Sequence, residues 1–233
     1  MRRNRNAGFV PGAYVFPGGR VDGSDATAPV LERIEGLTTA AAAARLELPD
    51  ADPPAIAYYL AALREAFEET GILVGTRSDG SPVPPAAIHE EVDRARDDLM
   101  EDRIGFAEAL DRLDCRIDGT SVEYLAHWIT PIPEPRRYDT RFFAAKVHGD
   151  STPLVDPREM TDALWTTPRD ALRRCDAGSL PMVFPTIKTL EQLARYASPE
   201  EALSVVGRTR VRTIMPTLIL TPTGVGMELN EDG

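Results

Sequence analysis

The chain has 233 residues, 42% of them hydrophobic, which suffices for one large domain or two small ones with a substantial buried core. Its 37 acidic and 26 basic residues give a net charge of −11, which disfavours broad contact with nucleic acid or an anionic membrane. The sequence has no run of 18 apolar residues, and no apolar segment follows its basic start, so we expect a cytoplasmic protein without a membrane partner.

The first predicted elements are a short strand and a glycine-rich turn. The strand covers residues 13–16, and the Pro-Gly-Gly turn at 17–19 allows the backbone to approach a ligand closely. An Ala-rich segment at 24–54 follows, and it predicts a small helix capped by Thr38 or Thr39.

The strongest predicted helix spans residues 55–70. Its apolar residues form one stripe, and Gly71 is the expected C-terminal cap. Later helices are predicted at 86–102, 105–112, 168–175, 186–197 and 199–206, with strands at 121–130, 141–148 and 163–166 and an extended tail after them.

Cysteine and histidine form no evident site in this sequence. Cys115 and Cys175 lack CxxC spacing, so we expect free thiols instead of a disulfide or a zinc site. The scattered histidines His89, His127 and His148 are expected to be structural or exposed.

Three carboxylates crowd the end of the 55–70 helix, in the stretch LREAFEETGIL at 63–73. Glu65, Glu68 and Glu69 are three and four residues apart and therefore share one helix face. They form either a solvated acidic face or a site for a hard divalent cation such as Mg²⁺ or Mn²⁺, which removes the mutual repulsion of carboxylates.

The whole string favours the second interpretation, because it resembles the Nudix box, G-x5-E-x7-R-E-U-x-E-E-x-G-U, where U is aliphatic. The second half is complete from Arg64 onwards. In the first half, Gly19 is followed after five residues by Asp25 where the family has Glu. A further 38 residues then separate Asp25 from Arg64 where the family has 7, and this insertion leaves the role of Asp25 in doubt.

A particular Nudix branch shares the split box. The stretches WITP at 128–131 and PRRYDTRFF at 135–143 resemble the branch that includes peroxisomal coenzyme A diphosphatases. The resemblance implies an α/β fold, the Nudix α/β/α sandwich with a mixed sheet. It also implies a single domain over residues 1–233, with an Ala-rich insertion at about 26–56 and a C-terminal helical extension at about 185–233.

The resemblance also implies a set of site residues. Glu65, Glu68 and Glu69 would hold Mg²⁺ or Mn²⁺ together with a carbonyl of the Gly19 turn, and a carboxylate would deprotonate the attacking water. Arg64 would orient a glutamate; the alternative is an ordinary surface ion pair with Glu68.

A further carboxylate is expected near a tryptophan, because the family often supplies one from a preceding loop. Glu159, six residues before Trp165, is the candidate base or extra ligand. Asp162 and Glu123 are its rivals, and plain loop solvation is the alternative.

Local positive charge for a phosphate comes from the hairpin between the two main strands. Arg136, Arg137 and Arg141 are candidate substrate contacts, or they pair with neighbouring acids across the turn. Tyr138 could stack on a base or simply pack.

The substrate class expected from the resemblance is a small molecule with a diphosphate linkage, with coenzyme A or acyl-coenzyme A as first choice. A coenzyme A signature of another Nudix branch, aligned on the FPGG at 16–19, also matches at Arg3 and Gly12, whereas Asn4 and Gly8 depart from it. The alternatives are ADP-ribose, a nucleotide sugar or NADH.

Two non-enzymatic hypotheses remain. One is a Nudix-like regulatory module that binds a nucleotide, and the other is a structural acidic helix in an unrelated fold.

The start of the chain predicts an exposed strand edge, because Nudix domains usually have a strand before the segment that matches residues 2–12. We expect that edge to be covered by the tail at 211–221 or by a second copy of the chain in a homodimer.

Overall fold

The computed structural model describes residues 1–5, 10–147, 151–156, 160–221 and 224–229. The helices are α1 Ala28–Leu31, α2 Thr39–Leu46, α3 Ile56–Thr70, α4 Glu90–Met100, α5 Phe106–Arg112, α6 Pro168–Asp176, α7 Phe184–Leu193 and α8 Pro199–Val206. The strands are β1 Arg2–Arg3, β2 Ile34–Glu35, β3 Thr76–Arg77, β4 Cys115–Asp118, β5 Val122–Ile129, β6 Asp139–Ala145, β7 Met160–Asp162, β8 Thr213–Ile214, β9 Thr217–Thr221 and β10 Gly224–Glu228.

The two larger sheets are both mixed, as expected. In the order β6-β5-β8, β5 pairs antiparallel with β6 and parallel with β8. In the order β2-β4-β3, β4 pairs parallel with β2 and antiparallel with β3. Two antiparallel pairs, β1 with β7 and β9 with β10, complete the described strands.

Helix α3 lies at the centre of the main core because one of its faces is wholly apolar. The Tyr59 ring packs at 4.5 Å, centroid to centroid, against Phe143 of β6. The buried α3 side chains in this core are Ile56, Tyr59, Leu60, Leu63 and Phe67. Burial of each such side chain contributes about 1.5–3 kcal/mol, so the helix is held firmly while its acidic face stays near the surface.

The Ala-rich insertion is a packed part of the fold. As predicted, Thr38 caps α2, its Oγ1 accepting a hydrogen bond from the Ala41 backbone N–H at 3.1 Å. Val30, Ala42 and Leu46 are buried in the same core as α3. The Ala-rich insertion therefore packs on the core, and the chain continues from it into α3.

Two of the predicted strands differ in the structure. The strand expected at 163–166 lies earlier, at β7, where Asp162 pairs with Arg2. Trp165 is instead largely exposed, and its indole N–H donates to the Ser151 carbonyl. In the segment 13–16 only Tyr14 forms β-bridges, with Arg2 and Met182. The strands β2 and β3 were not predicted, because each has only two residues, too few to show an alternation of apolar and polar side chains. Their extended conformation depends on the strand with which they pair.

The tail pairs with a sheet edge. Thr213–Ile214 forms the parallel strand β8 beside β5, so among the described residues the tail does not pair with the N-terminal segment 2–12 as expected, and β1 pairs with β7 instead. No helix within the described ranges is long and apolar enough to cross a membrane.

The burial of the two thiols predicts a difference in reactivity. Cys115 is fully buried, and burial raises the pKa of its thiol to about 12, whereas Cys175 is partly accessible. The thiolate is the reactive form, so we expect a disulfide reagent at pH 8 to titrate one thiol in the native protein and two in denaturant. Rapid labelling of both thiols in the native protein would contradict this arrangement, and Cys175→Ser should leave the native protein unreactive.

Candidate functional site

The Arg64 guanidinium holds the acidic face of α3 together. Its Nη1 donates to the carboxylates of Glu65, at 3.0 Å, and Glu68, at 3.1 Å. Its Nη2 donates to the Arg20 carbonyl at 2.9 Å, which ties the glycine-rich turn to the helix. The side chain is only 13% exposed, so this is a part-buried network instead of the surface ion pair considered as the alternative.

Asp25 is the residue that pairs most closely with Arg64. The Arg64 Nε donates to Asp25 Oδ1 at 2.6 Å, and Nη2 to Oδ2 at 3.3 Å. The Asp25 side chain is fully buried, and its Oδ2 also accepts from the Asp22 N–H at 2.8 Å, as part of a capping box on the 3-10 helix Gly23–Ala26. The two halves of the box therefore remain in contact, although 38 residues separate Asp25 from Arg64.

The glycine-rich turn lies directly against the carboxylates. The Gly18 N–H donates to the Glu69 carboxylate at 3.0 Å. A Cβ at position 19 would overlap the Glu65 carboxylate, so a larger residue there would require the Glu65 side chain to move. The turn and the helix therefore form one acidic site.

Burial and charge act in opposite directions on the groups of this site. Burial raises the pKa of Glu68 above its ordinary value, and the Arg64 charge offsets only part of that effect. For Arg64, burial alone would lower the pKa, but the hydrogen bond and charge of Asp25, with the charges of Glu68 and Glu65, raise it above the usual value. Arg64 thus stays charged, while the ionised form of Glu68 is destabilised.

The donor atoms of the site fit a hard divalent cation by type. As the side chains stand, the described part of the chain has no group of three His, Cys, Asp or Glu residues that could hold a metal ion. Glu65 and Glu68 turn towards Arg64, and Glu69 towards Gly18. Carboxylate oxygens are nevertheless the ligands such cations prefer, and the absent Cβ of Gly19 leaves room beside Glu65. Binding would require rotation of the glutamate side chains.

The candidate phosphate-binding arginines fall into two environments. Arg141 is 7% exposed; its Nη1 donates to Asp139 at 2.7 Å and its guanidinium lies 4.8 Å from the Tyr58 ring centroid. Tyr58 precedes Glu65 by seven residues of α3, roughly 10 Å along the axis. Arg141 is thus mainly part of the structural support, about two helical turns from the carboxylates.

The other members of that group lie at the surface of the β5–β6 hairpin. Arg136, Arg137 and Tyr138 are all exposed. Arg137 Nε donates to the Thr130 carbonyl at 3.0 Å, and Tyr138 is 40% exposed. The hairpin therefore presents positive charge and an aromatic ring to solvent.

The candidates for an extra carboxylate are only partly described. Glu159 and His148 lie outside the described residues. Asp162 accepts a hydrogen bond from the Tyr14 hydroxyl at 3.0 Å. Tyr14 lies three residues before the start of the glycine-rich turn. Glu123 lies beside Gly207, and burial raises the pKa of its carboxyl, opposed by the charge of Arg45. These neighbours of Glu123 belong to α2 and the end of α8, not to the box.

Two site features escaped sequence reasoning. The insertion cast doubt on Asp25, although the spacing from Gly19 was the correct signal. Arg96 of α4 was not singled out, yet its Nε donates to the Glu68 carbonyl at 2.8 Å. Arg96 is four residues after Val92 and three before Leu99, so helical spacing places it on the buried face of α4, unlike its neighbour Arg94.

The fold and the acidic site define a Nudix-type α/β protein. The crystal structure of a NUDIX hydrolase from Alicyclobacillus acidocaldarius matches with a TM-score of 0.69 and 31% identity, over 89% of this chain and 87% of that one. This chain belongs to the Nudix hydrolase family, because the family model described as NUDT19 Nudix domain matches residues 1–193. Nudix hydrolases generally use divalent metal cations.

Curated relatives come from the same branch. The human protein named acyl-coenzyme A diphosphatase NUDT19 is 28% identical over 97% of this chain and 68% of its own length. The Gallus gallus protein of the same name is 27% identical over 85% of this chain and 61% of its own length. The chain thus matches about three fifths to two thirds of these relatives.

The buried Arg64–Asp25 pair predicts a large loss of stability on its removal. Asp25→Asn would leave the part-buried Arg64 guanidinium without its closest carboxylate. We therefore expect the free energy of unfolding, measured in urea with chelator present, to fall by about 3 kcal/mol. The control is Asp111→Asn, whose carboxylate pairs with Arg33 but is 65% exposed, and it should change stability by less than about 1 kcal/mol. Equal effects of the two changes would contradict the role given to Asp25.

The raised pKa of Glu68 predicts that its carboxylate destabilises the metal-free fold. The pKa of Glu68 is higher in the folded protein than in the unfolded chain, where it is about 4.3. The free energy of unfolding therefore falls as the pH rises above that value. The neutral Glu68→Gln should therefore melt higher than the parent at pH 7 in chelator, by an increment that shrinks towards pH 4. Scanning calorimetry with exposed Glu91→Gln as control tests this, and a lower melting temperature at pH 7 would contradict it.

Proposed function

We propose that this chain is a Mg²⁺- or Mn²⁺-dependent diphosphatase whose first-choice substrate is coenzyme A or acyl-coenzyme A. The observation that carries the proposal is the box itself, with Glu65, Glu68 and Glu69 retained on one helix face and Asp25 restored to Arg64 across the insertion. Support for the substrate comes from the relatives named acyl-coenzyme A diphosphatase NUDT19. A non-catalytic Nudix-like module is disfavoured, because no box carboxylate is lost.

The residues of the site divide into holding and orienting groups. Glu65, Glu68 and Glu69, with the carbonyl of Gly19, would hold the cation. Once bound, the cation offsets the charge of the diphosphate and lowers the pKa of a coordinated water. Arg64 holds Glu65 and Glu68 side by side in the metal-free protein, and their side chains would rotate away from it to bind the cation.

A carboxylate must also accept the proton of the attacking water. Glu68 combines partial burial with a raised pKa, the property expected of a general base. Glu159 is the second candidate, on the strength of its position before Trp165. Asp162, held by the Tyr14 hydroxyl, is the alternative among the described residues.

The hairpin supplies the charge that recognises the rest of the substrate. Arg136 and Arg137 suit the phosphate groups of an adenine nucleotide, and Tyr138 offers a ring for the base. Arg141 would act indirectly, by holding Asp139 and stacking on Tyr58. This division rests on the exposure of the first three and the burial of the fourth.

The test is a hydrolysis assay on coenzyme A, an acyl-coenzyme A, ADP-ribose, NADH and a nucleotide sugar, with Mg²⁺ or Mn²⁺. We expect the coenzyme A compounds to be cleaved to adenosine 3′,5′-bisphosphate and the matching phosphopantetheine, and chelator to abolish the reaction. Glu68→Gln should lower kcat by about 10²-fold or more, because it removes a proton acceptor or ligand.

Exposed Glu91→Gln is the matched control and should be fully active. Preferred cleavage of ADP-ribose, NADH or a nucleotide sugar would overturn the substrate assignment. Absence of turnover on every compound, or unchanged turnover in Glu68→Gln, would overturn the diphosphatase itself.

A further inference from the structure

Arg96 is a charged residue in a place where charge is rarely tolerated. It lies on α4, and its side chain is only 5% exposed. Arginines are almost never fully buried unless they are paired. The Asp93 carboxylate lies 3.9 Å from the Arg96 guanidinium and is itself 40% exposed, so this ion pair is partly open to solvent. A second, shorter interaction holds the Arg96 side chain.

That interaction is with the C-terminal end of α3, the box helix, which carries the second half of the Nudix box. The last four carbonyls of an α-helix lack an N–H partner within the helix. In α3, the Phe67 carbonyl accepts from the Gly71 N–H, and the Thr70 carbonyl from the Leu154 N–H, both at 2.7 Å. Arg96 Nε donates to the Glu68 carbonyl at 2.8 Å.

The Glu68 carbonyl depends on Arg96 for a local reason. The N–H that would otherwise continue the helix to Glu68 belongs to Ile72, and it donates instead to the Thr70 Oγ1 at 3.2 Å. Gly71 turns the chain away there, with φ of +68°. A cation at this end also faces the negative pole of the helix dipole. Arg96 thus caps α3 through the backbone of a residue whose side chain belongs to the acidic site.

The space around Arg96 is fitted to this contact. A Cβ on Gly71 would overlap the Ala86 Cβ, at 2.7 Å, whereas its distance of 3.6 Å from Arg96 Cδ is an ordinary contact, so the arginine stem lies directly against the helix end. The Gly71 carbonyl accepts from the Ala86 N–H at 2.9 Å, which fixes the same corner from the other side.

We propose that Arg96 is a positioning residue of the diphosphatase, which sets the last turn of α3 and thereby the Glu68 and Glu69 carboxylates. This inference rests on the proposed function. Displacement of a catalytic group by about 1 Å can cost 10²-fold in rate, and loss of a group that orients a metal ligand can cost 10–100-fold in metal affinity.

The experiment compares Arg96→Met, Arg96→Gln and Arg96→Lys with Arg94→Met, on the same helix. Arg94 is 71% exposed and serves as the matched control. In variants that are folded by circular dichroism, we expect Arg96→Met to lower kcat by about 10–100-fold with KM changed less than about threefold. Mn²⁺ binding, followed by electron paramagnetic resonance without substrate, should weaken by about tenfold or more. Arg96→Lys should recover part of both losses, and Arg94→Met should match the parent.

The outcomes separate the two proposals. An inactive parent protein would overturn the diphosphatase, while Mn²⁺ binding would still test Arg96. A folded Arg96→Met or Arg96→Gln with parental kcat and Mn²⁺ affinity would overturn the positioning role alone. Failure of all three Arg96 variants to fold would also overturn it, because Arg96 would then be a determinant of folding.

Discussion

The rest of the site depends on one part-buried guanidinium, that of Arg64. It binds Asp25, Glu65 and Glu68 and the carbonyl of Arg20, so a single cation joins the glycine-rich turn, the short helix before the insertion and the box helix. Three carboxylates around one cation still leave excess negative charge. That excess is what a divalent cation would balance, so the same network that keeps the fold together also keeps the site receptive to metal.

The insertion is compatible with this network because its ends meet. Closing a longer loop costs only a slowly growing entropy, and here the excursion also packs Val30, Ala42 and Leu46 into the core. The buried Asp25 then finds Arg64 at 2.6 Å. A linear motif can thus be divided in sequence while its charged partners remain adjacent, provided that the inserted segment is anchored at a fixed distance from the helix.

Helix α3 carries two opposed demands. Its apolar face must be buried for stability, and its acidic face must remain ionised near the surface for the proposed function. Glu68 lies where these demands conflict, since burial raises its pKa and only Arg64 offsets the effect. The helix end is secured in turn by groups from elsewhere in the chain, from Leu154 and from α4. The carboxylates of the candidate site are therefore held by a scaffold drawn from distant segments.

The sequence alone determined the box helix, its end at Gly71, a cap at Thr38 or Thr39 and the family, because helical periodicity, caps and charge spacing are local properties. It could not determine the pairing of Asp25 with Arg64, the burial of Arg141, or the bond from Arg96 to the Glu68 carbonyl. The sequence likewise did not predict two-residue strands such as β2 and β3. Each of these depends on which segments meet in space, and such contacts between distant residues leave no periodic trace along the chain.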